Sequence, residues 1–296
     1  MSQALAAALA KLVEGAGHVA ASHFTSAQRR ALEELARKTG ALRVKSEGRG
    51  SVYQVVHPEM LAEHFRSLRP MHADDVDPTV PRRSANIAQS RSSKGGDSRH
   101  TLHYLLVKAI GRGAVWKIGD VGAERELDLF ASTEVSGAGV LALEASDTWR
   151  SDQPLWLVEN QALFDRLDWM PPDAVGTIAY YAGQLPARLL NWLSTSQRAS
   201  EVILFPDYDG VGILNYARLR ELCAGPCSFW LMPHWRERLS AFGNNNVWVN
   251  TQDDFLAALG RLKSMYVDEE FVQLCAALST EGLALEHEAV WLPWES

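Results

Sequence analysis

Two apolar runs of this chain stop abruptly at carboxylates. Leu155–Val158 is followed directly by Glu159, and Val202–Phe205 is followed, one proline later, by Asp207 and Asp209. Short continuous runs rich in Val, Leu, Ile and Phe are typical of strands buried inside a parallel sheet. Such sheets bind ligands at the carboxyl ends of their strands. The sequence therefore predicts an α/β fold in which three acids from two strand ends converge.

The pattern after Glu159 alternates between short apolar runs and amphipathic segments. Strands are predicted at residues 176–180, 201–205 and 228–232, and helices at residues 161–167, 186–193, 211–222, 236–242, 251–262 and 269–278. Strands that alternate with helices indicate a parallel sheet with right-handed crossover connections. Residues 151–296 are therefore predicted to form a Rossmann-like domain, a parallel sheet flanked by helices.

The first 69 residues show a different order of elements. Helices are predicted at residues 3–13, 26–39 and 58–67, and a hairpin of two strands at residues 42–45 and 52–56. Two helices followed by a basic hairpin are the order of a winged helix, so a winged-helix-like α+β domain is expected at residues 1–69. A small helical cap that touches no DNA, or a protein-docking module, are the alternatives.

Two segments connect these domains. Residues 70–100 are polar and contain three prolines, which predicts a basic linker or a segment that clamps a substrate backbone. Residues 101–150 are predicted to form a small β-rich bridging region or an extension of the main sheet. Within them we expect a helix at 101–110 and strands at 114–118, 126–130 and 140–145.

The charge of the chain is unevenly distributed. The net charge is -7 at pH 7, but residues 1–100 carry 15 Lys and Arg against 10 Asp and Glu, whereas the remainder carries 14 against 26. An acidic second half can collect cations, while a basic first half can contact phosphates. The basic residues predicted to contact DNA are Arg43, Lys45, Arg49, Arg82, Arg83, Arg91 and Lys94.

The acids after the two strands suit a hard divalent cation. Mg²⁺, or Mn²⁺ in its place, prefers oxygen ligands and keeps several waters, so two aspartates and phosphate oxygens suffice to bind it. Glu159 would then bind the metal or deprotonate water. The alternative for Asp209 is a structural role as a helix cap.

Four motifs in residues 155–288 resemble the Toprim domain of topoisomerases, primases and nucleases. They are ENQALF at 159–164, YAG at 181–183, DYDGVGILNYARLR at 207–220 and ALEHE at 284–288. The resemblance implies that Glu159 acts as a general acid or base, that Asp207 and Asp209 hold Mg²⁺, and that Glu288, with Glu286 as its alternative, is a fourth metal-proximal acid. Gly210 and Gly212 fit the pattern, because backbone near a crowded site must approach closely or take positive φ.

More narrowly, the motifs are similar to those of the nuclease subunit of Wadjet or Mks condensin-like plasmid-defence systems, a relative of the A subunit of topoisomerase VI. The resemblance implies a metal-dependent DNA endonuclease that cleaves plasmid DNA, with double-stranded DNA and condensin-like SMC and kleisin subunits as partners, and it also implies homodimerisation. The chain departs from that pattern at two places. Pro233 and His234 stand where an acid is expected, and His287 stands where glutamine is usual.

Three other functions are compatible with parts of the sequence. A catalytically silent Toprim subunit would bind DNA without cutting it. A topoisomerase VI-like enzyme would need a tyrosine nucleophile, for which Tyr53 and Tyr104 are the candidates. A phosphatase of the haloacid dehalogenase type would share the Asp-x-Asp-Gly motif, but the acid pair Asp253 and Asp254 precedes Lys263 rather than following it.

Cysteine content and hydropathy bear on the compartment. Three cysteines argue against a disulfide framework, and no apolar run reaches the ~18 residues that a membrane helix needs. We therefore expect a cytoplasmic, nucleoid-associated protein without a membrane partner. A zinc site at Cys223, Cys227 and His234 is an alternative with only three nearby donors.

Overall fold

The computed structural model describes residues 2–48, 50–71, 73–94, 102–120 and 122–293, with no account of the side chains of residues 2, 3 and 73. The chain forms two compact units, residues 1–100 and residues 101–296.

The first unit combines helices with a three-stranded antiparallel sheet. Its elements are α1 (Ser2–Glu14), β1 (His18–Ala20), α2 (Ser26–Thr39), β2 (Leu42–Glu47), β3 (Gly50–Val55), α3 (Pro58–Leu68) and α4 (Arg82–Ser90). The sheet order is β1-β3-β2. The predicted helices and hairpin are confirmed, whereas β1, which pairs with β3, is too short to leave an apolar pattern.

Helix α2 shows why these residues fold locally as they do. The Thr25 hydroxyl accepts a hydrogen bond from the Gln28 backbone N–H, and the Gln28 side chain accepts one from the Thr25 backbone N–H. This reciprocal capping satisfies two helix N–H groups. At the other end Gly40 takes a left-handed φ of 66°, which stops the helix. Between these caps, Leu32 and Leu35 enter the core of the unit.

The segment at residues 70–100, predicted to be a basic linker or clamp, contains a helix that the sequence did not predict. Helix α4 begins directly after Pro81, and the Met71 backbone N–H donates to the Ala88 carbonyl within it. Proline is well tolerated at a helix start, because the first N–H groups of a helix have no partner inside it. The many Arg, Ser and Asn residues around Ala85 and Ile87 concealed this helix in the sequence.

The second unit is built on a six-stranded mixed sheet of order β11-β10-β8-β9-β4-β7. The strands of the whole unit are β4 (His103–Ile110), β5 (Val115–Ile118), β6 (Arg125–Asp128), β7 (Gly139–Leu143), β8 (Leu155–Val158), β9 (Gly176–Tyr180), β10 (Val202–Phe205) and β11 (Cys227–Phe229). Its helices are α5 (Leu129–Ser136), α6 (Gln161–Asp165), α7 (Ala187–Thr195), α8 (Gly210–Leu222), α9 (Trp235–Phe242), α10 (Asn245–Leu262) and α11 (Glu269–Glu281).

The four strands β11, β10, β8 and β9 run parallel, as predicted. The remaining two extend the sheet, with β4 antiparallel to β9 and β7 antiparallel to β4. Strands β5 and β6 form a separate two-stranded sheet. The region at residues 101–150 therefore contributes a third of the main sheet, which makes the sheet mixed rather than purely parallel.

The prediction of a helix at residues 101–110 was wrong, because His103–Ile110 form strand β4. Leu105, Val107 and Ala109 are buried, whereas Tyr104 and Leu106 between them are exposed. This alternation is the period of a strand. It was hidden because the exposed positions are also apolar. A smaller error lies at residues 126–130, where the strand ends at Asp128 because its carboxylate caps helix α5.

Helices α8 and α10 pack closely at Gly210, which gives a stability prediction. A Cβ atom at Gly210 would lie 1.7 Å from the Thr251 carbonyl oxygen, whereas one at Gly260, on the open side of α10, would meet nothing within 4 Å. We expect Gly210→Ala to lower the free energy of unfolding by about 1–3 kcal/mol through overpacking. Gly260→Ala, the matched control, should raise it by about 0.5–1 kcal/mol through helix propensity.

Urea denaturation of the two glycine variants beside the unmodified protein measures both changes. Equal effects of the two substitutions would contradict the close contact between α8 and α10.

Candidate metal centre

The candidate site lies where the strand order of the sheet reverses. Strand β8 has β9 on one side and β10 on the other. From β8 the chain moves to β9 on the first side, whereas from β10 it moves to β11 in the opposite direction across the sheet. These connections diverge, which opens a crevice at the carboxyl ends of β8 and β10. Val158 pairs with Phe205 across the two strands. Glu159 and Asp207 therefore emerge from adjacent strands at the same edge of the sheet.

Glu159 is held close to the β10 loop. The Tyr181 hydroxyl donates a hydrogen bond to Glu159 Oε2 at 3.3 Å, and the Asp207 backbone lies near enough to the Glu159 carboxylate to influence its pKa. Burial, followed by the negative charge of Asp207, raises the pKa of Glu159 to about 7. Among the sequence-predicted acids, Glu159 and Asp207 are thus brought together by the fold.

Asp207 is tied to the C-terminal segment through His287. The Asp207 Oδ1 atom accepts a hydrogen bond from the His287 backbone N–H at 2.9 Å and lies 2.7 Å from the His287 Nδ1 atom. Burial by itself would raise the pKa of Asp207, but hydrogen bonding to His287 and its charge bring that pKa below its ordinary value. Asp207 is consequently the acid of the site that favours its ionised form.

A short antiparallel bridge delivers His287 and Glu288 to the site. Tyr208 and Leu285 exchange two backbone hydrogen bonds, of 2.8 and 3.0 Å. The Tyr208 ring is fully buried, and its hydroxyl accepts from the Met232 backbone N–H at 2.6 Å. The bridge therefore rests on a rigid part of the core, and the residues that follow Leu285 are placed against Asp207.

Asp209 serves as the cap of helix α8. Its Oδ1 atom accepts a hydrogen bond from the Gly212 backbone N–H at 2.8 Å, and burial raises its pKa to about 6. The structure therefore shows Asp209 in the helix-capping role that was the alternative to metal binding. Gly212 is required by close approach, since a Cβ atom there would lie 2.0 Å from the Asp207 carbonyl oxygen. The close approach that requires glycine at position 212 is therefore to the protein backbone.

Within the described ranges, one group of His, Cys, Asp and Glu side chains is able to hold a metal ion: Asp207, His287 and Glu288. One ligand atom from each residue lies within 4.8 Å of the others. The His287 Nε2 atom is 3.9 Å from Glu288 Oε2, while the Asn160 amide donates to the other oxygen of Glu288. Glu288, rather than the exposed Glu286, is the acid of the late motif that joins the cluster.

His287 is the member that sequence reasoning did not assign to the metal. In the sequence it stands out only as a departure from the glutamine usual at that position, because the bridge between Tyr208 and Leu285 joins residues far apart in sequence and leaves no local pattern. Asn160 was likewise seen only as part of a motif, although it both caps helix α6 and contacts Glu288.

The remaining predicted residues lie elsewhere. The basic side chains are exposed and belong to the first unit: Arg43, Lys45, Arg82, Arg83, Arg91 and Lys94. Arg43 and Lys45 share one face of β2, since they are two positions apart. Arg49 lies outside the described residues. Cys223 and Cys227 are free thiols, and they form no metal-binding group with His234 within the part of the chain that the structure describes.

The two candidate tyrosine nucleophiles occupy different environments. Tyr53 is 1% exposed and packs edge-to-face against Phe24, as expected for a core residue of the hairpin. Tyr104 is 66% exposed, on β4 rather than on the predicted helix. Burial of Tyr53 leaves its ring no access to a DNA phosphate.

Comparison of the chain with protein-family models finds no match, and comparison with curated proteins finds none either. None of the helices that the structure describes has both the length and the apolarity required to span a lipid bilayer.

Proposed function

We propose that this protein is a metal-dependent phosphodiesterase that cleaves DNA, with a Toprim-type domain as its second unit. The observation that carries the proposal is the convergence of Glu159 and Asp207 at the switch point of the sheet, next to His287 and Glu288. Neighbouring acids at that edge suit the binding of a divalent cation and a phosphate group.

The donor set is suitable for a divalent ion. Asp207, His287 and Glu288 would hold it, and Glu159 lies close enough to Asp207 and His287 for their charges to shift its pKa. A bound Mg²⁺ or Mn²⁺ would supply the positive charge that stabilises displacement at phosphorus. Asp209 would support the site indirectly, because its carboxylate caps helix α8 and so fixes where that helix begins.

The first unit is proposed to contact DNA as a winged-helix-like domain. Its element order, a helix and a short strand before α2 and the hairpin of β2 and β3, is compatible with that fold. The exposed Arg43 and Lys45 on β2 and the basic residues around α4 are the phosphate contacts we propose. From the sequence resemblance, we further propose condensin-like SMC and kleisin subunits as partners, a homodimer, and location at the nucleoid.

A plasmid cleavage assay tests the proposed activity. Supercoiled plasmid is incubated with the purified protein and Mg²⁺ or Mn²⁺, and nicked and linear products are quantified on a gel. We expect cleavage that EDTA abolishes and that Asp207→Asn lowers by about 100-fold or more, because removing a charged group from such a site costs several kcal/mol. The control is Asp253→Asn, which removes an exposed acid of helix α10.

Two results would contradict the nuclease. Equal cleavage by the Asp207→Asn and unmodified proteins would indicate a contaminating enzyme. Lack of cleavage by a folded, metal-loaded protein, combined with DNA binding in a gel-shift assay, would favour the second candidate, a catalytically silent DNA-binding subunit.

A further inference from the structure

We propose that the ion of this site is a first-row transition-metal dication held by Asp207, His287 and Glu288, in preference to Mg²⁺. The inference rests on the metal-binding part of the proposed function and deepens it. Its basis is the chemistry of the donors, since one of the three is an imidazole nitrogen. Imidazole suits ions such as Zn²⁺, Fe²⁺, Co²⁺ and Ni²⁺, whereas Mg²⁺ prefers an all-oxygen environment.

The environment of His287 points to a missing ligand. Its side chain is fully buried; the Nδ1 atom has the Asp207 carboxylate 2.7 Å away, whereas the Nε2 atom has no hydrogen-bond partner among the residues that the structure describes. Buried polar groups are hydrogen-bonded in the great majority of cases, so an exception needs an explanation. Here the ring lies between two carboxylates, with Nδ1 near Asp207 and Nε2 near Glu288. A cation bound to one ring nitrogen would give that nitrogen a partner and offset the negative charge of the two acids.

The separations are close to those of a coordination sphere. The ligand atoms of the three residues lie within 4.8 Å of one another. Two ligands on opposite sides of an ion at about 2.1 Å from each are about 4.2 Å apart. The 4.8 Å limit is therefore compatible with a coordination sphere that contracts slightly around a bound ion.

Surrounding contacts orient these ligands. The Asn160 amide holds Glu288, and the His287 backbone N–H holds Asp207. The His287 ring also packs 5.3 Å from the ring of Phe205, which limits its rotation. Such supporting contacts are characteristic of built metal sites, where they fix the orientation of each ligand.

Metal titrations of the metal-free full chain test the inference. Isothermal titration calorimetry is carried out separately with Co²⁺, Zn²⁺ and Mg²⁺, and the visible absorption of bound Co²⁺ reports its ligands. We expect Co²⁺ and Zn²⁺ to bind more tightly than Mg²⁺ by about 10-fold or more, following the order of affinities for nitrogen-containing sites. His287→Gln should weaken Co²⁺ binding by about 10-fold or more and change the visible spectrum, because a lost ligand costs at least as much as a lost supporting contact.

Two further variants make the result specific. His57→Gln, which alters an exposed histidine of the first unit, should leave both affinities and the spectrum unchanged. Glu288→Gln removes a ligand without emptying the buried position of the ring, and it should also weaken Co²⁺ binding. Near-UV circular dichroism confirms that each variant is folded; if His287→Gln is not, Glu288→Gln decides the test.

The outcomes separate this inference from the proposed activity. Equal affinity for Mg²⁺ and Co²⁺, or a folded variant at position 287 or 288 that binds Co²⁺ as the unmodified protein does, would overturn the metal assignment even if plasmid is cut. Tight Co²⁺ binding that depends on His287 in a protein that cuts no DNA would support the metal site and contradict the nuclease.

Discussion

Arg198→Met is expected to lower the free energy of unfolding by about 3–5 kcal/mol, the cost typical of breaking a buried ion pair. The Arg198 side chain is 3% exposed, and its guanidinium lies 3.2 Å from the Asp147 carboxylate, which is 10% exposed. The same guanidinium donates to the Asp147 and Trp149 carbonyls and to the Thr195 hydroxyl. Its Nε atom donates to the Trp192 carbonyl, which closes the network. Removing Arg198 leaves the largely buried Asp147 carboxylate without its oppositely charged partner, with only the Trp192 indole and two backbone N–H groups still donating to it.

A surface ion pair of the same chemistry provides the control. Arg261 contacts Glu221 at the protein surface, where the two side chains are 46% and 44% exposed. Because water screens such pairs, Arg261→Met should change the free energy of unfolding by less than about 1 kcal/mol. Urea denaturation of both variants in one buffer gives the comparison. A loss of less than 1 kcal/mol for Arg198→Met would show that its network adds no net stability.

Glu159→Gln is expected to abolish metal-dependent cleavage and, in metal-free protein, to raise stability at pH 8 by about 1–3 kcal/mol. The pKa of Glu159 rises from 4.5 to about 7 on folding, chiefly through burial and then through the charge of Asp207. The folded state therefore retains a proton that the unfolded state has lost, so ionised Glu159 destabilises the fold increasingly as the pH rises from about 4.5 to about 7. Glutamine carries no charge and avoids this cost.

Ionisation of Asp207 has the opposite effect on stability from ionisation of Glu159. Its folded pKa is lowered, so its ionised form contributes stability above its unfolded pKa and that contribution is lost as the pH falls. Asp207→Asn should consequently destabilise the protein at pH 8, while Glu159→Gln stabilises it. Besides burial, the charges of Asp207, His287 and Asp209 shift the pKa of Glu159, so these four groups titrate as a coupled set, while burial and the same acids raise the pKa of Tyr181.

Thermal unfolding of metal-free protein at pH 5 and pH 8 measures this difference. The gain from Glu159→Gln should be several-fold larger at pH 8 than at pH 5. A gain that is equal at the two pH values would attribute the effect to packing rather than to charge. Such a cost in stability is expected where a site keeps acids together for a ligand, because surfaces without function have no reason to retain it.

Much of the second unit could be predicted from local sequence. The four parallel strands and the helices between them were placed within a few residues, because buried strands are continuous apolar runs and helices show a period of 3.6. Strand β4 could not be predicted, since Tyr104 and Leu106 on its exposed face are also apolar and the strand therefore lacks the usual alternation of apolar and polar residues. The helix at Arg82–Ser90 was missed for a related reason, because its few apolar residues are outnumbered by polar ones.

The candidate site divides in the same way. Local apolar patterns suffice to predict that Glu159 and Asp207 follow buried strands, and the geometry of parallel sheets then brings strand ends to one edge. The cap that Asp209 makes on helix α8, and the approach of His287 and Glu288 to Asp207, are visible only in the folded chain. This is because the bridge from Tyr208 to Leu285 consists of backbone hydrogen bonds between distant segments, to which side-chain identity contributes little.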